Sequence, residues 1–147
     1  MKEKIKNLLY IFGPLLLGGL VGLLTKNSME YNTLIKPPFS PPNSTFPIVW
    51  SILYLLIGIS YYLFRKDNER SNLYILNLVF NFTWPFFFFT FKWYFFSLLW
   101  ILILDISLVF LIKDFYNKKR ISAYLLIPYL VWLIIATYLN IGIFILN

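Results

Sequence analysis

Five apolar runs constrain this chain more than any other feature. They extend approximately over Leu8–Leu24, Pro47–Phe64, Leu73–Phe91, Phe95–Ile112 and Ile121–Leu146. A helix crosses a hydrocarbon core with about 20 apolar residues, and about 17 is the lower limit. Every run reaches that limit. In lipid each backbone N–H and C=O must be satisfied within the protein, which leaves helices or a closed barrel. Barrel strands would be about half as long and would alternate in polarity; these runs do neither. Only 13% of the residues are charged, against about 25% in soluble domains. The reading is an all-α membrane protein, a five-transmembrane-helix bundle forming one domain over residues 1–147.

The joints between the runs carry the charge. Ten of the 13 lysines and arginines fall on the N-terminal side: Lys2, Lys4, Lys6, Arg65, Lys66, Arg70, Lys113, Lys118, Lys119 and Arg120. Lys26, Lys36 and Lys92 fall on the other side. The positive-inside rule then predicts a cytoplasmic N-terminus, and the plasma membrane is the expected location of this integral, multi-pass protein. The net charge of +7 does not point to nucleic acid, because the cations sit in clusters at span ends, where they meet lipid head groups. The first run is long for a signal peptide, and Thr25-Lys26-Asn27-Ser28 is not a small-x-small cleavage site, so it reads as a retained span. The chain has no cysteine and no histidine, which removes disulfides, thiolate metal sites and the usual general base. No metal site and no cofactor are expected, and no phosphate loop or nucleophile–base pair is present.

Between the first two spans lies Tyr31–Trp50, which holds five of the eight prolines. Proline removes a donor and pushes its predecessor towards extended backbone, so this is a proline-rich extramembrane loop between helices 1 and 2. Its apolar residues, among them Tyr31, Leu34, Phe39 and Phe46, predict that it folds down onto the bundle. The short loops further along predict that consecutive helices are neighbours.

Inside the spans, polar and aromatic residues recur at helical spacing. Asn77, Asn81, Trp84 and Phe88 share one face of the third span. Trp50, Tyr54, Gly58 and Tyr61 share a face of the second. Pro128, Trp132, Ala136 and Asn140 share a face of the fifth. Two readings fit: hydrogen-bonded contact between helices, or a cavity with aromatic walls and orienting amides. Asp105 lies in the middle of the fourth span, where a carboxylate is costly and so a candidate for a ligand or proton role as well as for a buried hydrogen bond. Gly18 and Gly22 form a Gly-x-x-x-Gly helix-contact pattern. Pro85 and Pro128 predict kinks. Leu56, Tyr61 and Arg65 form a loose cholesterol-type pattern.

Three separated motifs resemble one family. The loop Tyr31-x-x-Leu34-x-Lys36-Pro37-x-Phe39-x-Pro41-Pro42, continued by Pro47 and Val49-Trp50-x-x-Leu53-Tyr54, resembles the first loop and second helix of the TspO/translocator protein family of tryptophan-rich sensory proteins, bacterial type. Asn77-x-x-x-Asn81-x-x-Trp84-Pro85 with Phe87 and Phe88 is similar to its third helix. Leu126-Ile127-Pro128-Tyr129-Leu130-x-Trp132-x-x-x-Ala136-x-x-Leu139-Asn140 is similar to its fifth. The resemblance implies a homodimeric receptor or sensor that binds porphyrins and other tetrapyrroles between its helices, with the loop as lid. It implies ligand-binding roles for Tyr31, Pro41, Pro42, Trp50, Tyr54, Asn77, Asn81, Trp84, Phe87, Trp132, Ala136 and Leu139. It also implies catalytic roles for Trp50 and Trp132 in light-dependent porphyrin degradation, with porphyrin transport or ligand-dependent regulation as alternatives. Membrane lipids are the other expected partner. Glu30 and Phe39 stand where the family commonly has tryptophan, and no basic residue follows Tyr138 to complete the sterol segment of the animal proteins.

Overall fold

The computed structural model describes residues 2–25, 31–67 and 69–147. Lys26 and Glu30, singled out above, lie outside the described residues. The helices in order are α1 (Lys2–Thr25), α2 (Thr45–Lys66), α3 (Asn72–Pro85), α4 (Tyr94–Lys118), α5 (Arg120–Leu125) and α6 (Ile127–Leu146). A π-helical turn, Phe86–Thr90, prolongs α3, and α5 and α6 together make one span. The described residues thus contain five helical segments long and apolar enough to cross a membrane.

The helices outrun the apolar stretches at their charged ends, since helix propensity does not stop at the hydrocarbon boundary. Arg65 and Lys66 end α2 and Lys118 ends α4, where cations complement the helix dipole. Both expected proline effects are visible. After Pro85 the helix widens into the π turn. Two residues before Pro128 the fifth span breaks at Leu126, whose N–H bonds to the Ala123 carbonyl in a tightened turn (3.1 Å).

The spans form a ring. α1 packs on α2 and α3, α4 packs on α3 and on α5–α6, and α2 packs on α5 and α6. Consecutive spans are neighbours, as expected, except that the backbones of α2 and α3 stand off from each other. Large side chains bridge that gap: Tyr61 stacks on Tyr74 with ring centroids 3.9 Å apart. Small residues set the close approaches. Ser60 Oγ donates to the Ser122 carbonyl (2.7 Å) and Ser122 Oγ donates back to the Ser60 carbonyl (2.8 Å), joining α2 to α5. Gly58 lies against the Ile11 carbonyl of α1, where no Cβ fits.

The proline-rich loop folds back along α6. Asn147 Nδ2 donates to the Ile35 carbonyl (2.8 Å), the Pro37 ring occupies the space a side chain at Gly142 would need, and the Tyr138 hydroxyl donates to the Pro38 carbonyl (2.7 Å). The buried Tyr31 donates its hydroxyl to the Pro41 carbonyl (2.6 Å), and Lys36 Nζ donates to the carbonyls of Tyr31 and Leu34. Burial pushes the Tyr31 phenol above its ordinary pKa. The turn Pro37–Ser40 carries Phe39 at φ 65° and fully exposed. A position with φ above zero after a turn proline normally takes glycine, and a bulky residue there costs about 1–2 kcal/mol. This turn touches α6 between Tyr138 and Gly142. That stretch includes Asn140, whose Nδ2 donates to the Tyr94 carbonyl (3.0 Å) at the start of α4. The exposed Phe39 is therefore held near the level of Trp93, which is also exposed.

The Gly58 contact is backbone against backbone, so it has no side chain that can give way. Gly58→Ala should destabilise the bundle by about 1–3 kcal/mol, the usual cost of overpacking. Thermal unfolding of the purified protein in detergent measures this; an unchanged midpoint would show that α1 is free to shift.

Candidate functional site

A cavity of about 600 Å³ opens between α1, the start of α2 and the end of the third span. On the α1 wall Gly18, Gly19 and Gly22 alternate with Leu15, Val21, Leu23 and Thr25. A Cβ added at Gly19 or Gly22 would meet nothing within 4 Å, whereas one at Gly18 would strike the Tyr54 ring. Trp50, Tyr54 and Phe46 form the α2 wall, and Trp84, Pro85 and Phe89 close the far side. Trp50 stacks on Tyr54 with centroids 5.3 Å apart and an interplanar angle of 27°. Polar groups are few: Thr25, Asn43, Ser44 and Ser51 border the cavity, and no charged residue lines it among the described residues.

Behind the α2 wall runs a buried chain of hydrogen bonds. The Tyr54 hydroxyl donates to Asn81 Oδ1 (2.6 Å), and Asn81 Nδ2 donates to the Tyr129 hydroxyl (2.7 Å). Tyr129 donates to Asn77 Oδ1 (2.8 Å), Asn77 Nδ2 to Ser107 Oγ (2.9 Å), and Ser107 to the Leu104 carbonyl (2.8 Å). Four spans are joined in this line. A second cluster gathers on Asn140: its Oδ1 accepts from Trp84 Nε1 (3.0 Å) and from Ser97 Oγ (3.2 Å).

The residues singled out from sequence divide into groups. Trp50, Tyr54 and Trp84 line the cavity. Asn77 and Asn81 belong to the hydrogen-bond chain, their amides joining helices. Trp132 sits one layer back, its ring edge-on to Trp50 (6.5 Å) and to Phe46 (5.8 Å). Its Nε1 is buried without a hydrogen-bond partner among the described residues. Ala136 and Leu139 are buried in the core on the same side of α6. Tyr31 caps this layer, edge-on to Phe46 at 5.0 Å, and Pro41 holds its hydroxyl. Pro42 is exposed and accepts from the Thr45 N–H at the entry to α2 (3.0 Å). Phe87 packs with Trp93, Phe96 and Trp100, away from the cavity. Phe89 lines the cavity instead. The π turn explains the exchange: with more residues per turn than an α-helix, Phe89 swings onto the face of Trp84 (5.9 Å).

Asp105 lies at the contact of α4 with α6, where its Oδ2 accepts from the Thr137 hydroxyl (2.6 Å). It does not line the cavity. Gly18 makes its close contact within the chain, against Tyr54.

The sequence matches the TspO/MBR family over residues 10–146. The chain belongs to that family. It is 33% identical over 144 residues to a tryptophan-rich protein TspO of Archaeoglobus fulgidus, covering 93% of this chain and 94% of that one. It is 28% identical over 122 residues to a tryptophan-rich sensory protein of Cereibacter sphaeroides, covering 81% and 77%. It is 31% identical over 118 residues to the human translocator protein, covering 75% and 70%. As a TspO/MBR family member with five apolar spans, it is an integral, multi-pass membrane protein.

The sequence reading of this family member missed the α1 wall. Gly18, Gly19 and Gly22 were legible only as a contact pattern, since a residue without a side chain gives no signal of facing a cavity. In the buried chain, Asn81→Leu removes both an acceptor and a donor, and should cost about 1–3 kcal/mol for the groups left unpaired. Tyr54→Phe leaves Asn81 with its Tyr129 bond and should cost less. Thermal midpoints of the two variants in detergent test this order; equal midpoints would mean the chain does not hold the spans together.

Proposed function

We propose that this chain is a membrane receptor or sensor that binds a planar tetrapyrrole such as protoporphyrin IX in the α1–α2 cavity. The observation that carries this reading is the cavity itself: without a charged side chain among the described residues, walled by Trp50 and Tyr54 on one side and on the other by α1, where Gly18, Gly19 and Gly22 sit among Leu15, Val21 and Leu23. Its volume lies within the range of about 300–1,000 Å³ that small-molecule sites occupy. A flat macrocycle needs a flat aromatic surface and backbone close by, and the two walls supply these. Thr25, Asn43 and Ser44 offer hydrogen bonds to the acidic side chains of such a ligand. The relative named a tryptophan-rich sensory protein supports the sensor role. The reading further takes the N-terminus as cytoplasmic, the plasma membrane as the location and a homodimer as the assembly, on the distribution of Lys and Arg and on the family resemblance.

One observation favours a second activity, light-dependent breakdown of the bound porphyrin. Trp50 is in ring contact with both Tyr54 and Trp132, so a ligand against Trp50 would meet a connected set of oxidisable rings. Dioxygen is the oxidant in this reading, and the indoles are the oxidisable groups.

The test is titration of full-length protein with protoporphyrin IX, followed by tryptophan quenching and porphyrin absorbance. Gly22→Leu fills the cavity from a position with open space. It should weaken binding at least tenfold, about 1.4 kcal/mol, without lowering the thermal midpoint. Unchanged affinity in Gly22→Leu would place the ligand elsewhere. In a second arm, Trp50→Phe should slow the loss of porphyrin absorbance under light; an unchanged rate with intact binding removes the photochemical role alone.

A further inference from the structure

We propose that the N-terminal end of the bundle holds a binding site for the phosphate headgroup of an anionic phospholipid. A second cavity, of about 330 Å³, lies there between α1, the end of α2 and the start of α3. Lys6, Arg65 and Arg70 converge on it from α1, α2 and the segment before α3, with Tyr10 and Tyr61 beside them and no carboxylate in its lining among the described residues. Arg65 is the fixed member. Its guanidinium donates to the Glu69 carbonyl (3.0 Å) and lies over the Tyr10 ring at 5.7 Å, while Tyr10 stands edge-on to Tyr61 at 5.4 Å. Glu69 offers Arg65 its backbone carbonyl and does not line the cavity; Asp114, also outside the lining, accepts from Ser71 Oγ (3.3 Å) and pairs with Lys118 (3.2 Å).

Three cations held around one concavity repel one another unless an anion neutralises them. Arginine's planar fork suits phosphate oxygens. The first turn of α3, beginning at Asn72, adds the positive end of a helix dipole at the rim. The rim also carries Ile75, which is exposed, as is Val79 one turn further towards the bilayer centre. A soluble anion has no use for that apolar continuation. A phospholipid does, with its phosphate among the cations and an acyl chain along α3. Basic pockets between transmembrane helices at headgroup depth take such lipids.

The experiment follows the thermal midpoint of full-length protein in a neutral detergent. The additions are phosphatidylglycerol, phosphatidylcholine, glycerol phosphate and inorganic phosphate. Phosphatidylglycerol should raise the midpoint by about 3 °C, and the other three should leave it in place. Lys6→Gln with Arg70→Gln should abolish the shift; both residues are exposed, so the variant should fold. Lys113→Gln with Arg120→Gln removes the same charge from the same end, outside the cavity, and should keep the shift. Arg65→Lys, which retains charge but loses the fork, should reduce it. Equal loss in the two double variants would mean diffuse attraction and would overturn the site. A shift with inorganic or glycerol phosphate alone would overturn its assignment to lipid.

Discussion

The bundle depends on the hydrogen-bond line that starts at Tyr54 and passes through Asn81, Tyr129 and Asn77 to Ser107. A polar group left unpaired in hydrocarbon costs several kcal/mol, so these residues are tolerable only if all of them meet. Their side chains are short. Meeting fixes the rotation of α2, α3, α4 and α6 about their own axes to within the reach of an amide or a phenol. Once those rotations are fixed, so is everything else on the same faces. Trp50, one turn before Tyr54, must look past the line towards α1. Trp84, three residues after Asn81, must look across to Asn140. The line is structural in its contacts and functional in its consequence, because it aims the aromatic wall.

α1 takes no part in that line. It meets the bundle by shape: Gly58 receives the Ile11 carbonyl, Gly18 receives the Tyr54 ring, and Tyr10 stands edge-on to Tyr61. Contacts of this kind depend on dispersion, which falls off steeply with any gap. A cavity beside such a helix leaves no polar group stranded, whereas one in the middle of the hydrogen-bond line would break its members apart. The large cavity accordingly lies against α1, and the side of the ring closed by α4 and α6 is packed.

The spans were legible in the sequence because their signal is composition over about 20 residues, and composition survives any detail of packing. The amide faces were legible because Asn77 and Asn81 are four residues apart on an undisturbed helix. Two alternatives left open for those faces are divided between residues: Asn77, Asn81 and Asn140 join helices, while Trp50, Tyr54 and Trp84 border the cavity and the face of the fifth span does not reach it. Phe89 was illegible for a specific reason. Helical periodicity assumes a constant register, which puts Phe88 beside Trp84, where it is; the π turn after Pro85 shifts the register so that Phe89 reaches Trp84 as well, while Phe87, named from the family resemblance, packs on α4. Trp132 shares a face with Ala136 and Asn140, as its spacing requires, yet Phe46 from the start of α2 stands before it. No pattern within one helix reports what another helix interposes. The fold of the loop along α6 was equally hidden, because it rests on single contacts at Pro37, Pro38 and Ile35 rather than on any repeat.

The seam of α1 with α2 contains two cavities of opposite chemistry, and the Gly58 contact separates them. Among the described residues the lining towards the loop has no charge; towards the N-terminus it has three cations. The same two helices form walls of both, so the fold alone does not set the difference. Depth does. Within the hydrocarbon an unpaired charge is too costly to leave in a cavity wall, and the available chemistry reduces to aromatic rings, glycine and a few hydroxyls. At the level of the head groups, lysine and arginine keep contact with water and phosphate, and several can share one concavity. What each end of the seam can recognise therefore follows from where along the bilayer normal it lies, with α1 supplying glycines, aliphatic side chains and Thr25 at one end and Lys6 and Tyr10 at the other.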